Sequence, residues 1–332
     1  MIIENSKTYN LTEVENLFFR PTFCGKAAEE FGIRVLYNMP IPTKVPLFSH
    51  NNNILKNFSP GWQGGSSATL VQKEIPMKKL KAESAYSAED YFSTIYEMIA
   101  TSADVNLGDL TGTDLEKAET ELFRRSLAES IYATTWFGDE YGEISEYTEF
   151  SGFIRRCITS HEENGSKVPI SVHGDQIEIE VEQLLRETWE SASKKLRALI
   201  SEGNLAFFVS SDIYDAYQFY LDSVGLTNAY AESSNGRLPL NFHGIPLMEV
   251  PSNGYAILGA RSFCILTDRR NLVLALNTAD SPEKEVRMWY NPDEMENRQR
   301  VVFLAGTMLV DDLLIAGNIY NEGVAFPNSY DI

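Results

Sequence analysis

Cysteine is scarce in this sequence. Cys24, Cys157 and Cys264 are odd in number, far apart and in no CxxC pair, a pattern that supports neither a disulfide framework nor a zinc site and fits a reducing cytosol. Histidine is equally sparse: His50, His161, His173 and His243 stand singly, none with a second His or Cys at metal-ligand spacing. Long apolar runs are missing. Stretches such as Leu272 to Leu276 and Val301 to Ala305 fall far short of the roughly 18 residues that cross a bilayer as a helix. The opening Met-Ile-Ile-Glu-Asn-Ser-Lys has no basic leader before an apolar segment, so no secretory signal is expected. Positive charge is also in deficit, with 28 Lys and Arg against 47 Asp and Glu, a net charge of -19 and a pI near 4.7. Such a chain repels a phosphate backbone, which excludes tight, sequence-reading nucleic-acid binding but not enclosure of DNA.

Catalytic signatures are absent as well. There is no GxxxxGK[ST] loop, no GxGxxG after a strand, no HExxH and no GxSxG. Gly64-Gly65-Ser66-Ser67 lacks the lysine and the strand-then-helix setting of a phosphate cradle and reads as a hinge or turn. His161-Glu162-Glu163 precedes the turn Asn164-Gly165-Ser166 and reads as an exposed loop. Asp311-Asp312 and Glu294-Met295-Glu296 have no accompanying base or ligand and read as solvated carboxylates. No catalytic, cofactor-binding or metal-binding residue is assigned, and the expectation is a protein that is not an enzyme and takes no cofactor.

What is present is an ordinary globular balance: 332 residues, 43% hydrophobic and 23% charged, enough for one large or two modest domains. Residues 1 to 60 carry Pro21, Pro40, Pro42, Pro46 and Pro60 and the run Asn51-Asn52-Asn53, which predicts an extended arm with a short helix near Lys26 to Phe31. Ala68 to Ala82 mixes Leu70, Val71, Ile75, Met77 and Leu80 with lysines; the alternation is poor and predicts a hairpin solvated on both faces. Thr113 to Trp136 is the clearest helix. Thr113 and Glu116 form a capping box, Leu115, Ala118, Leu122, Leu127 and Ile131 recur near helical spacing, and Gly138 follows. A second helix is expected over Val181 to Ile200 and a third over Ser211 to Val224, capped by Ser210 or Ser211. Strand signals then dominate at Leu238 to Val250, Ala256 to Leu266, Leu272 to Asn277, Glu285 to Tyr290 and Arg300 to Leu309. The fold class is α+β.

One charge asymmetry stands out. Asp139, Glu140, Glu143, Glu146 and Glu149 form a block without a base, while Lys73, Lys78, Lys79 and Lys81 concentrate positive charge in an acidic chain. These are either two solvated faces or a complementary pair across a subunit contact.

Four stretches carry a resemblance. Asn241-Phe242-His243-Gly244-Ile245-Pro246-Leu247-Met248-Glu249-Val250-Pro251 resembles the F-x-G-I-P-V/L stretch of tailed-phage major capsid proteins. Ile265-Leu266-Thr267-Asp268-Arg269-Arg270-Asn271-Leu272-Val273-Leu274-Ala275 resembles their L-T-x-x-x-N-L-V segment. Phe150-Ser151-Gly152-Phe153-Ile154 is similar to the F-x-G-I/L that follows their long helix, and Arg300 to Val310 to their closing strand. The resemblance covers nearly the whole chain and implies the Hong Kong ninety-seven-type phage capsid fold. On it, residues 1–56 would be an N-terminal arm, 57–86 an extended loop, 87–149 and 297–320 a peripheral domain with a spine helix at 113–136, 150–296 an axial domain, and 321–332 a tail.

The same resemblance implies a self-assembling shell protein, forming pentamers and hexamers of itself around a double-stranded DNA genome in a virion assembled in bacterial cytoplasm. The resemblance also implies a portal and a scaffolding protein as partners; with no long charged helical extension before the arm, a separate scaffold and a prior cleavage are both open. Alternatives are an encapsulin-type compartment shell, whose usual N-terminal cargo helix contrasts with the proline-rich arm, and a cytosolic α+β enzyme or binding protein.

Overall fold

The computed structural model describes residues 7–8, 31–37, 44–49, 60, 69–87, 114–142, 147–224, 240–251, 262–277 and 287–326. In chain order the first strands are β1 (Lys7–Thr8), β2 (Arg34–Tyr37), β3 (Lys44–Ser49), β4 (Thr69–Glu74) and β5 (Lys78–Ser87). Helices α1 (Asp114–Phe137) and α2 (Phe153–Asn164) follow, then β6 (Ile170–His173), β7 (Ile177–Glu178), α3 (Val181–Ser191) and α4 (Lys194–Ala198). Strand β8 (Leu205–Ser210) and helix α5 (Ser211–Ser223) lead to β9 (Asn241–Phe242), β10 (Ile245–Val250) and β11 (Ser262–Asp268). The chain closes with β12 (Leu272–Asn277), β13 (Arg287–Asn291), β14 (Glu296–Leu309), β15 (Ile315–Tyr320) and β16 (Val324–Ala325).

Two six-stranded sheets organise these elements. The first runs β1-β13-β14-β12-β2, with β5 also paired to β14; the second runs β6-β15-β11-β8-β10-β9. The chain crosses between them at the β11–β12 and β14–β15 turns. The central strand of the second sheet, Leu-Ala-Phe-Phe-Val-Ser, is buried at every position because both of its faces are covered. Side chains alternate across a strand. Hence Ala206 and Phe208 join a core with Trp136, Phe153 and Cys157, whereas Leu205, Phe207 and Val209 join another with Leu184, Leu196 and Tyr217. Helices α1 and α2 thus pack on one face of the sheet and α3 to α5 on the other.

The clearest expected helix is present, one residue displaced at each end. Its last seven residues, Ile131 to Phe137, lie almost wholly in the core, and Trp136 rests against Phe31, Phe153 and Phe208 at ring-centroid distances of 5.5, 5.2 and 5.2 Å. Thr113, and the side chains of Leu115, Ala118 and Leu122, lie outside the described residues. Where α1 ends, Gly138 and Gly152 meet: Gly152 N–H donates to Gly138 O at 2.7 Å. A Cβ on Gly152 would stand 2.7 Å from Thr134 O, and one on Gly138 would stand 2.3 Å from Phe150 O.

Two expectations are corrected. The single helix over Val181 to Ile200 is broken: Ala192 is extended, and Ser193 accepts from Leu196 N–H at 3.1 Å to start α4. A serine hydroxyl in mid-helix offers the backbone a fresh N-cap, and here that competes successfully with propagation. The strand near Ala82 is not solvated on both faces. Over Lys78 to Ser87 it pairs antiparallel with β14 at ten positions, and Leu80 and Ala82 pack on the core. The two-stranded ribbon is instead β3 with β4, in register from Lys44 with Glu74 to Ser49 with Thr69. Most of the expected arm, including the segment before Phe31, lies outside the described residues.

Candidate assembly surface

The hairpin β9–β10 explains the first motif. His243 and Gly244 both take positive φ, 51° and 77°, as a tight two-residue turn between twisted strands requires. This turn sends Phe242 into the core against Phe207 and Tyr217. In the second motif Asp268 caps a short turn by accepting from Arg270 N–H at 2.8 Å and pairs with the Arg270 guanidinium at 2.6 Å. Asp268 and Glu202 together raise Arg270 above its ordinary pKa. The motif around Phe150 is a packing device, since Phe150 and Phe153 are 1% exposed and Ser151 O accepts from the Thr307 hydroxyl.

The sequence-predicted site residues are placed as follows. Lys78 Nζ donates to Glu140 Oε1 at 2.5 Å, joining the lysine-rich segment to the acidic block inside one subunit. Glu140 raises Lys78 above the usual lysine pKa. Lys73 pairs with Asp312 at 2.8 Å and Lys81 with Glu83 at 2.8 Å, neither of which was expected. Lys79 is exposed. Asp139 faces Arg155 at 3.5 Å. Glu149 lines a groove of about 700 Å³ between β5 and α1, whose apolar wall includes Leu80, Phe123, Leu127 and Phe303. Glu143 and Glu146 lie outside the described residues.

Chemistry is thin elsewhere. Among the described residues no group of three or more His, Cys, Asp or Glu could hold a metal ion. His161 Nδ1 is paired with Val168 O at 2.9 Å, and His173 stacks on Tyr320. Burial pushes the Cys264 thiol up to about 12 and Cys157 further, so neither forms a thiolate nucleophile near neutral pH. No helix among the described residues is long and apolar enough to cross a membrane.

Known proteins supply the frame for this arrangement. No family model matches the sequence, and no curated protein matches it. Solved structures do. A chain of the satellite phage P4 procapsid including size determination (Sid) protein aligns with a TM-score of 0.56 at 9% identity, over 95% of this chain and 99% of that one. Gordonia phage Cozz aligns at 0.49 with 11% identity over 88% and 84%, and the cyanophage A-1(L) capsid asymmetric unit at 0.48 with 11% over 89% and 92%. The chain has the α+β Hong Kong ninety-seven-type fold of phage capsid proteins.

Proposed function

We propose that this chain is the major capsid protein of a tailed phage, assembling with copies of itself into the icosahedral head shell that encloses double-stranded DNA. The observation that carries the reading is the end-to-end structural match to the P4 procapsid chain, 95% of one against 99% of the other. Two arrangements of the chain support it. Trp136, Phe137 and the Gly138–Gly152 contact anchor α1 into the body as a brace, and the β3–β4 ribbon is a two-stranded element of the kind that is marginal without something to lie on.

In this reading the sheet of β5, β12, β13 and β14 belongs to the peripheral unit and the sheet of β6, β8, β11 and β15 to the axial one, which moves β12 and β13 out of the axial range 150–296 and β15 out of the peripheral range 297–320; copies meet as pentamers and hexamers. A portal and a separate scaffolding protein are its partners, the virion its final location and the bacterial cytoplasm its place of assembly. The net charge of -19 suits a wall that does not grip its contents. Lys79 is exposed, whereas Lys78 is held by Glu140 within the subunit; in this reading Lys73, Lys78, Lys79 and Lys81 meet the block Asp139, Glu140, Glu143, Glu146 and Glu149 of a neighbouring copy, by recruiting Lys79 or exchanging the partners they hold within the subunit.

Electron microscopy of negatively stained, overexpressed protein tests the reading. Shells, or discrete five- and six-subunit capsomers, are expected. A homogeneous small oligomer in sedimentation velocity overturns it in favour of an enzyme or binding protein. Shells packed with a cargo protein, purified from an infection-free host, favour an encapsulin-type compartment.

A further inference from the structure

The turn between β14 and β15 holds three parts of the molecule through two adjacent carboxylates. Asp312 Oδ1 and Oδ2 accept from Lys73 Nζ at 2.9 and 2.8 Å, and Lys73 sits on β4 of the ribbon. Asp311 Oδ2 accepts from Lys195 Nζ at 2.9 Å, and Lys195 sits on α4 over the second sheet. The Asp311 backbone is bound to Asn271 at the β11–β12 crossover. The turn is braced from within, because Leu313 N–H donates to Asp311 Oδ1 at 3.0 Å and Leu314 N–H to Asp311 O at 3.1 Å. Two carboxylates on neighbouring residues of a braced turn cannot move independently.

The ribbon leaves the body at a fixed point. Ile75 is 2% exposed and packs with Val45, Val273, Ala275 and Met308. Directly after it the chain passes over Gly306, where a Cβ would meet Pro76 O at 2.4 Å. Lys73 pairs in register with Val45, so the ion pair grips the ribbon at the level of that root, on the side chain next but one to Ile75, where a small displacement changes the angle of everything beyond it. The Lys73 and Asp312 side chains are 33% and 35% exposed, so the pair is screened by salt and of modest strength. A contact of that strength can open and close, as a setting device must.

We propose that the Asp311–Asp312 turn is a clamp coupling the angle of the β3–β4 ribbon to the position of α4 on the opposite half. Resting on the shell reading above, the clamp sets the curvature at which subunits join, so loosening it alters particle size without unfolding the subunit.

Hydrogen exchange read by mass spectrometry on unassembled full-length subunits at low salt tests the clamp. Lys73→Gln and Asp312→Asn should each raise exchange in 44–49 and 69–74 by roughly 1.5- to 5-fold, the range an ion pair of this exposure supports. Exchange in 262–268 should not change. The double variant Lys73→Asp with Asp312→Lys should restore protection, and Lys195→Gln should raise ribbon exchange through the shared turn. Ribbon exchange that ignores Lys73→Gln overturns the clamp, and ribbon exchange that ignores Lys195→Gln overturns the coupling. In micrographs the single variants should broaden or shift the particle diameter. Loosened ribbons with wild-type diameters overturn the curvature claim. Wild-type protein that builds no particle overturns the shell reading and the curvature claim together, while the exchange data still decide the clamp.

Discussion

Asn271 and Asp311 are bound to each other in both directions: Asp311 N–H donates to Asn271 Oδ1 at 2.7 Å, and Asn271 Nδ2 donates to Asp311 O at 3.1 Å. Asn271 ends the turn from β11 to β12 and Asp311 lies in the turn from β14 to β15, so this one exchange ties the two tight turns at which the chain crosses between sheets. Asn271 is 3% exposed and its amide also reaches the Thr267 hydroxyl at 3.1 Å. An amide serves here because the site needs a donor and an acceptor on one short side chain.

Replacing Asn271 with Ala should therefore cost about 2–4 kcal/mol, since it strands the Asp311 N–H and several acceptors in a closed site. Asn271→Asp should cost more at neutral pH, because a carboxylate has no proton to offer Asp311 O. Thermal melts should fall by several degrees for each, in that order. Equal melting of wild type and Asn271→Asp would show that the crossovers are held by the sheets alone.

The glycine contact at the end of α1 predicts a contrast. Gly152→Ala places a methyl 2.7 Å from Thr134 O and 2.8 Å from Gly138 N, all of it backbone that cannot swing aside, and should lose most of the soluble, folded protein. Gly174 has nothing within 4 Å of its would-be Cβ and no positive φ, so Gly174→Ala should melt within about 0.5 kcal/mol of wild type, as surface changes do. Expression and a denaturant titration of the two variants suffice to check it.

How much of this was legible in the sequence depends on the range of each interaction. The period of Leu127 and Ile131 located α1, and the apolar run Leu272 to Asn277 gave β12 to the residue. Local turn chemistry was missed at His243-Gly244, where the single strand expected over Leu238 to Val250 is broken by a two-residue turn into the β9–β10 hairpin. The pairing of β5 was not legible either. Its shelter comes from β14, more than two hundred residues later in the chain, and lysines at alternate positions hid a strand whose other face, Leu80 and Ala82, is covered. The partner of Lys73 within the subunit was hidden for the same reason: Asp312 is 239 residues from it. The break at Ser193 was visible as a residue type, but a serine in a helical pattern does not by itself say whether its hydroxyl will cap.

The buried thiol gives a pH prediction with a definite sign. Cys264 is 0% exposed, and burial raises its pKa to about 12, against roughly 8.5 in an unfolded chain. Between those values the unfolded state releases a proton that the folded state keeps, so stability falls as pH rises through that window, by up to about 1.4 kcal/mol per pH unit from this thiol. Below the unfolded value its contribution is constant. Cys264→Ala should therefore be less stable than wild type at pH 7 yet show a shallower loss from pH 9 to 10.5. Parallel pH slopes for the two proteins would mean that the thiol ionises without unfolding.

The final prediction concerns the lysines. In the subunit Lys78 already has Glu140, Lys73 has Asp312 and Lys81 has Glu83, so a contact between copies must either recruit Lys79 or exchange these partners. Exposed pairs of this kind are individually weak and are screened by salt. Each is too little to matter for one subunit and enough to decide assembly when repeated at every contact of a closed shell. Lys79→Glu should leave the subunit melt unchanged while reducing particle yield in sedimentation, and lowering salt should deepen the defect by strengthening the repulsion. Reversing Lys73, Lys78, Lys79 and Lys81 together should abolish particles, and reversing Asp139, Glu140, Glu143, Glu146 and Glu149 in the same chain should restore part of the yield. If Lys79→Glu and the quadruple variant both build normal shells at low salt, these charges serve only within the subunit, where Glu140, Asp312 and Glu83 already meet them.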